Sequence, residues 1–206
     1  MAYTVLEVTA GLVDLYNVDT LGPGPLAGLA TGPTTRGFTN FPGVEIKGFD
    51  PYLGAGTFIY GRASTTIAAG GVCEVGVNVS ATNRYDIQFT PWAGTANSGK
   101  ALAIALVALT VGQYGWFQVE GNAIANVQGT PAVGNPMYWQ ATGVVSPTAV
   151  NGKHMLNTTA MSAVSAQIGT GAGSSNTYVP GSNVGTLSST QAVLFLNRPL
   201  AQGQIT

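Results

Sequence analysis

The sequence predicts an all-β fold: a single compact β-barrel or jelly-roll-like domain over residues 51–206, preceded by an extended N-terminal arm over residues 1–50. Three observations predict it. From Thr57 onward, β-branched and aromatic residues come in short runs bounded by Gly, Asn and Pro, the pattern of a sandwich or barrel. Residues 113–123, Gln-Tyr-Gly-Trp-Phe-Gln-Val-Glu-Gly-Asn-Ala, are the clearest of these runs, an aromatic strand in a chain almost stripped of charge. Only 7% of residues are charged, against about a quarter in an ordinary soluble domain, and 29 are glycine. Such a surface suits permanent contact with other proteins.

In chain order, residues 3–8 and 12–18 read as short strand-like pieces. The stretch from Thr20 to Gly43 is broken by Gly22-Pro23-Gly24-Pro25, Gly32-Pro33 and Pro42-Gly43. Proline donates no ladder hydrogen bond and glycine weakens a strand, so this part reads as an arm that Pro51 closes. The arm cannot build a core of its own. Its apolar residues Leu6, Val8, Leu12, Leu15, Leu26, Leu29 and Phe41 need cover from a neighbouring molecule or, in the competing reading, from the chain's own barrel. The first reading makes them candidate interface residues.

Strands are expected at Thr57–Ile67, Gly71–Asn78, Tyr85–Thr90, Ala101–Leu109, Tyr114–Val127, Met137–Ala141, Met161–Ile168 and Gln191–Asn197. Eight is a plausible barrel or jelly-roll number. In the fourth, Leu102, Ile104 and Leu106 alternate with Ala101, Ala103 and Ala105, giving one large and one small face, as a closely packed central strand requires. A helix is the alternative there, because Ala and Leu are good helix formers. Residues 169–185 read as a Gly/Ser/Asn-rich loop, and no tandem repeat is visible.

Size and charge narrow the function classes. A chain of 206 residues buries roughly 70% of its unfolded surface and needs no disulfide, and the single cysteine, Cys73, has no internal partner. That fits synthesis in a reducing compartment. The net charge is −1, and seven Lys and Arg spread along the chain make no basic stripe, so nucleic acid is not expected as a partner. No Lys or Arg precedes Arg36, so the basic start of a secretory signal is absent. The longest apolar run, Ala101–Val111, is half the roughly 20 residues that a membrane-spanning helix needs. No membrane association is expected.

Constellations that could carry chemistry are few. Gly94-Thr-Ala-Asn-Ser-Gly99-Lys100 has the spacing of a phosphate-cradling loop, but Ala101 stands where a hydroxyl should reach magnesium, and Pro91-Trp92 precedes it instead of a buried strand. A glycine-rich hairpin turn is the better reading. Cys73 and His154 are the only members of their types and share no local signature of a nucleophile pair. Cys73 alternates with Val75 and Val77 as a core residue would, and His154, after the Asn151-Gly-Lys153 turn, reads as exposed. No HExxH or CxxC spacing suggests a metal, and the eight acidic residues are scattered. Asn78-Val-Ser80 and Asn157-Thr-Thr159 match the glycosylation pattern, which means little without secretion. The expectation is therefore no enzyme, no cofactor and no metal.

The aromatics remain. Tyr114, Trp116 and Phe117, with Tyr138 and Trp139, could stack sugar rings as a carbohydrate- or receptor-binding face. Tyr114 and Trp116 share one strand face, and large aromatics dominate cores and subunit interfaces alike, so core or subunit contact is the stronger reading for them.

Four segments resemble the cement, or head decoration, proteins of tailed bacteriophages. They are Gly56-Thr-Phe-Ile-Tyr60 with Ala63-Ser64, Gly99-Lys-Ala-Leu-Ala-Ile-Ala-Leu-Val-Ala108, Gln113-Tyr-Gly-Trp-Phe-Gln-Val-Glu-Gly121 and Leu196-Asn-Arg-Pro199, in family order. The arm and the loop near residue 175 match nothing in that family. The resemblance implies a compact β-barrel or jelly-roll, made in the host cytoplasm, that sits on the capsid exterior. Its partners would be the major capsid protein and further copies of itself, a trimer being favoured. It would strengthen the shell against internal DNA pressure, without catalysis; the reading of the residues themselves places the interface in the arm and at Tyr114 and Trp116. A carbohydrate- or receptor-binding module of the virion surface is the alternative, and a fimbrial or surface-layer subunit the third.

Overall fold

A computed structural model describes residues 4–5, 15–16, 18, 42–50, 52–79, 85–169 and 185–203. Every regular element among them is a strand, as the sequence predicts. The first five are β1 (Thr4–Val5), β2 (Glu45–Asp50), β3 (Gly54–Ala63), β4 (Val72–Val79) and β5 (Tyr85–Pro91). The middle of the chain gives β6 (Leu102–Ala105), β7 (Tyr114–Asn126), β8 (Pro136–Ala141) and β9 (Val144–Ser146). The rest gives β10 (His154–Ala160), β11 (Gln167–Ile168), β12 (Gly185–Thr186) and β13 (Gln191–Ala201).

Eleven strands form one sheet in the order β1-β2-β3-β5-β4-β6-β7-β13-β10-β8-β9, and β7 also pairs with β3. That extra pairing closes a ring of five strands, β3-β5-β4-β6-β7, whose one parallel contact is β3 with β5, at Arg62 to Gln88 and Ala63 to Phe89. Strands β13, β10, β8 and β9 continue from β7, while β2 and β1 flank β3. Strands β11 and β12 make a separate pair.

Three cores result. Inside the ring lie Cys73, Phe89, Ala103, Ala105, Phe117 and Val119, with the Phe89 and Phe117 rings stacked at 3.6 Å between centroids. The ring is too narrow for another side chain at this level: a Cβ on Gly61 would stand 2.3 Å from Phe89. A second core packs Trp92, Leu102 and Ile104 against Met137, Met155, Leu194 and Leu196. The third gathers Phe58, Tyr60, Tyr114 and Trp116 with Ile46, Leu53, Ile168 and Leu187.

The alternation read in residues 101–106 sets this arrangement. Leu102 and Ile104 enter the second core while Ala103 and Ala105 enter the narrow ring, so β6 is buried on both faces and the helical alternative falls. Large side chains would not fit on the ring side.

Other boundaries differ from those read in the sequence. Glu45–Asp50, counted with the arm, is β2 and pairs with β3 along its whole length. Its alternation is plain: Ile46 and Asp50 are buried, Glu45, Lys47 and Phe49 exposed. The chain then turns because Asp50 Oδ1 accepts from the amides of Tyr52 (2.8 Å) and Leu53 (2.9 Å), an Asx turn that leads into Gly54 at φ +85°. The strand expected at Met161–Ile168 is shifted: β10 occupies His154–Ala160, launched by the Asn151-Gly152 turn, and only Gln167–Ile168 pairs further on. Strand β9, three residues long, follows the turn at Gly143. The loop expected at 169–185 lies outside the described residues between 170 and 184.

Candidate functional site

The outward face of β2, with its neighbours on β3, β7 and β13, gathers polar and apolar groups, several of them exposed among the described residues. Alternation places Glu45, Lys47 and Phe49 outward on β2. Lys47 pairs across the sheet with Thr57, Thr57 with Glu120, and Glu120 with Asn197. The Thr57 hydroxyl donates to Glu120 Oε2 at 3.0 Å, confirming that both side chains share this side. On β13, Phe195 and Asn197 are exposed while Leu194 and Leu196 are buried, so Phe195 stands on the face that Asn197 shares with Glu120.

Arg198 ties the two ends of this face together. Its φ of +48° breaks the alternation and lets the guanidinium reach Glu45, donating to Oε1 at 3.1 Å and to Oε2 at 2.8 Å. The two-pronged contact holds the Glu45 carboxyl below the usual carboxylate range. Because both groups are exposed, the pair contributes little to stability and fixes geometry instead. The face therefore carries two phenyl rings, Phe49 at 45% and Phe195 at 44% exposure, around charges of both signs. Large exposed aromatics beside a few oriented charges are what a protein interface uses.

The residues singled out in the sequence divide as follows. Tyr114 and Trp116, assigned above to a capsid or subunit interface, are each 1% exposed. They pack on Tyr60, with centroids at 6.0 and 5.1 Å, beneath the layer holding Ile168 and Leu187, and have no surface to offer a partner. Leu15, assigned to the same interface, is also 1% exposed and belongs to that core. For Leu15, its own domain supplies the cover. Leu6, Val8, Leu12, Leu26, Leu29 and Phe41 lie outside the described residues.

In the Gly94–Lys100 loop, Lys100 Nζ sits 2.5 Å from Glu74 Oε2. Gly94 is glycine because the Trp139 indole covers it: a Cβ there would stand 2.2 Å from the ring. Trp139 is engaged on several sides, its Nε1 donating to the Trp92 carbonyl at 3.0 Å and Lys153 Nζ lying 3.9 Å from a ring centroid. It is thus no free platform for a sugar. Cys73 lies inside the ring, where burial pushes its thiol pKa far up. His154, read as exposed, is half-buried and stacks on Tyr138 at 4.7 Å. Among the described residues, no three of His, Cys, Asp and Glu stand together as metal ligands, and no helix is long and apolar enough to cross a membrane.

The outward face was not legible in the sequence. Its members come from four strands, and the only local signal is the alternation in Glu45–Asp50.

No protein-family model matches the chain, and no curated protein does. Among solved structures, the chain is similar to the N base of the head fiber gp8.5 of bacteriophage phi29, at 10% identity and a TM-score of 0.42. The match covers 69% of this chain and 95% of the other. A likeness this loose assigns no role.

Proposed function

We propose that the protein is a structural component of a tailed-phage virion that binds the outside of the assembled capsid and stabilises it, as cement proteins do. The observation that carries this reading is the outward face holding Phe49, Phe195 and the Glu45–Arg198 pair. The resemblance of four segments to cement proteins supplies the partner: the major capsid protein, with further copies of this chain completing an oligomer for which three is the favoured number. No catalysis is involved. Function lies in added interface area, and an interface on the order of 1,600 Å² repeated over a lattice stabilises a shell even where each contact is modest.

The test uses shells of the encoding phage assembled without this protein. Wild-type protein added to them should co-sediment and raise the temperature at which they rupture. The double variant Phe49→Ala/Phe195→Ala should fold normally, since both rings are exposed, and bind at least about tenfold more weakly, as expected when interface aromatics are removed. Undiminished binding by the double variant would remove this face from the proposal. Failure of the wild type to bind any shell would remove the function.

A further inference from the structure

Far from the outward face in sequence, four segments converge on an open groove of ≈ 480 Å³, within the range of about 300 to 1,000 Å³ typical of small-molecule sites. Strand β8 brings Tyr138, the turn before β10 brings Asn151, β10 begins with His154, the loop after β5 brings Asn97, and the end of β13 leads to Gln202. Backbone contacts lock them together. His154 pairs with Tyr138, the Asn97 amide donates to the Gly152 carbonyl at 2.8 Å, and the Gln202 amide donates to the His154 carbonyl at 2.8 Å. The Asn97 side chain lies against Gly152, where a Cβ would stand 2.9 Å from Oδ1, so that glycine admits the amide to the groove.

We infer that this groove binds a neutral saccharide. The Tyr138 ring, stacked on His154 at 4.7 Å and 26°, is a flat apolar platform fixed in orientation, which suits the C–H face of a pyranose. Around it the polar groups are mostly amides, each able to donate and accept as a sugar hydroxyl does. The Gln202 Oε1 accepts from the His154 amide at 3.3 Å, which leaves its Nε2 as a donor. Among the described residues, no hydrogen bond engages that Nε2, the side-chain amides of Asn97 and Asn151, the Tyr138 hydroxyl or the His154 ring. None of the groove's lining residues is Lys, Arg, Asp or Glu, so no fixed charge there favours a phosphate or a carboxylate over a neutral ligand. Trp139, next along β8, faces its own packing, so Tyr138 alone serves as the platform. The inference stands whether or not the protein sits on a capsid.

Saturation-transfer NMR on the full chain would test it, with glucose, galactose, mannose and N-acetylglucosamine at millimolar concentration as probes. Transfer to the ring protons of at least one of these sugars is expected. The Tyr138→Ala variant should abolish it and Asn151→Ala, on an exposed turn that tolerates the change, should weaken affinity up to about tenfold, the loss of one hydrogen bond. Tyr52→Ala, an exposed aromatic elsewhere, should leave it unchanged. The inference is overturned if none of the four sugars receives transfer, or if transfer persists in both groove variants. Equal or stronger transfer to glucose 6-phosphate would also overturn it, by revealing an anion site.

Discussion

Gly61 is where a single methyl group matters most to the ring. An added Cβ would stand 2.3 Å from the Phe89 ring and 2.9 Å from the Ile87 carbonyl, and neither can retreat, because Phe89 is held by its stack with Phe117. Gly61→Ala should therefore cost about 1 to 3 kcal/mol, the usual cost of overpacking, read as a lower midpoint in denaturant at an unchanged slope. Cys73 lies in the same interior with its thiol pKa raised by burial, and its Sγ donates to the Gly71 carbonyl at 3.4 Å. It should resist thiol reagents in the native protein and react only as fast as the ring opens, which a timed labelling experiment would measure. His154 gives the pH dependence. Burial lowers its pKa below the ordinary 6.5, so above that value it is neutral in both folded and unfolded chains and stability is unaffected. As pH falls below 6.5 the unfolded chain takes up the proton first, and stability declines until the folded-state pKa is passed. His154→Gln should flatten that decline in melting curves taken between pH 7 and pH 5.

Strand β2 shows how far elements can be read from sequence. The interior strands were legible because their side chains declare their surroundings: Tyr114–Asn126 through its aromatics, Leu102–Ala105 through its large and small faces. Strand β2 has the alternation of a half-exposed strand, but Gly48 falls on its buried side and the Pro/Gly-rich stretch before it drew the boundary too late. The polar groove was legible only as single residues, Tyr138 and His154, since nothing in the sequence announces that loop 94–99, β8, β10 and the end of β13 meet. The placement of β2 also changes what truncation does. Removing residues 1–48 would take Leu15, Ile46 and most of β2 from the core around Phe58, Tyr60 and Trp116. Loss of two such buried side chains costs about 2 to 5 kcal/mol each, so that truncated chain should lose its cooperative thermal transition. Removing residues 1–14 spares both side chains and should leave the transition in place, which calorimetry of the two chains would establish.

At the scale of the molecule, a net charge of −1 and 7% charged residues leave little repulsion between copies, and exposed Phe49, Phe195, Val111 and Val133 offer apolar contact. Self-association at tens of micromolar is expected in light scattering, and it should change little between low and high salt, because apolar contact is not screened as ion pairs are. The five-strand ring carries a different consequence, one of timing. Strand β3 pairs with β7, yet β4, β5 and β6 all lie between them in the chain, so the seam joining Arg62 to Tyr114 cannot form until that whole stretch has left the ribosome. Closing such a long loop precedes any reward from the contacts it makes, which slows folding, and the same seam must open before the ring can come apart. The molecule should thus be slow in both directions, with core amides of β3 and β7 exchanging with deuterated solvent only over the lifetime of the native state. A protein built this way keeps its shape by the height of a barrier as much as by the depth of a well, and it could outlast the conditions under which it would refold.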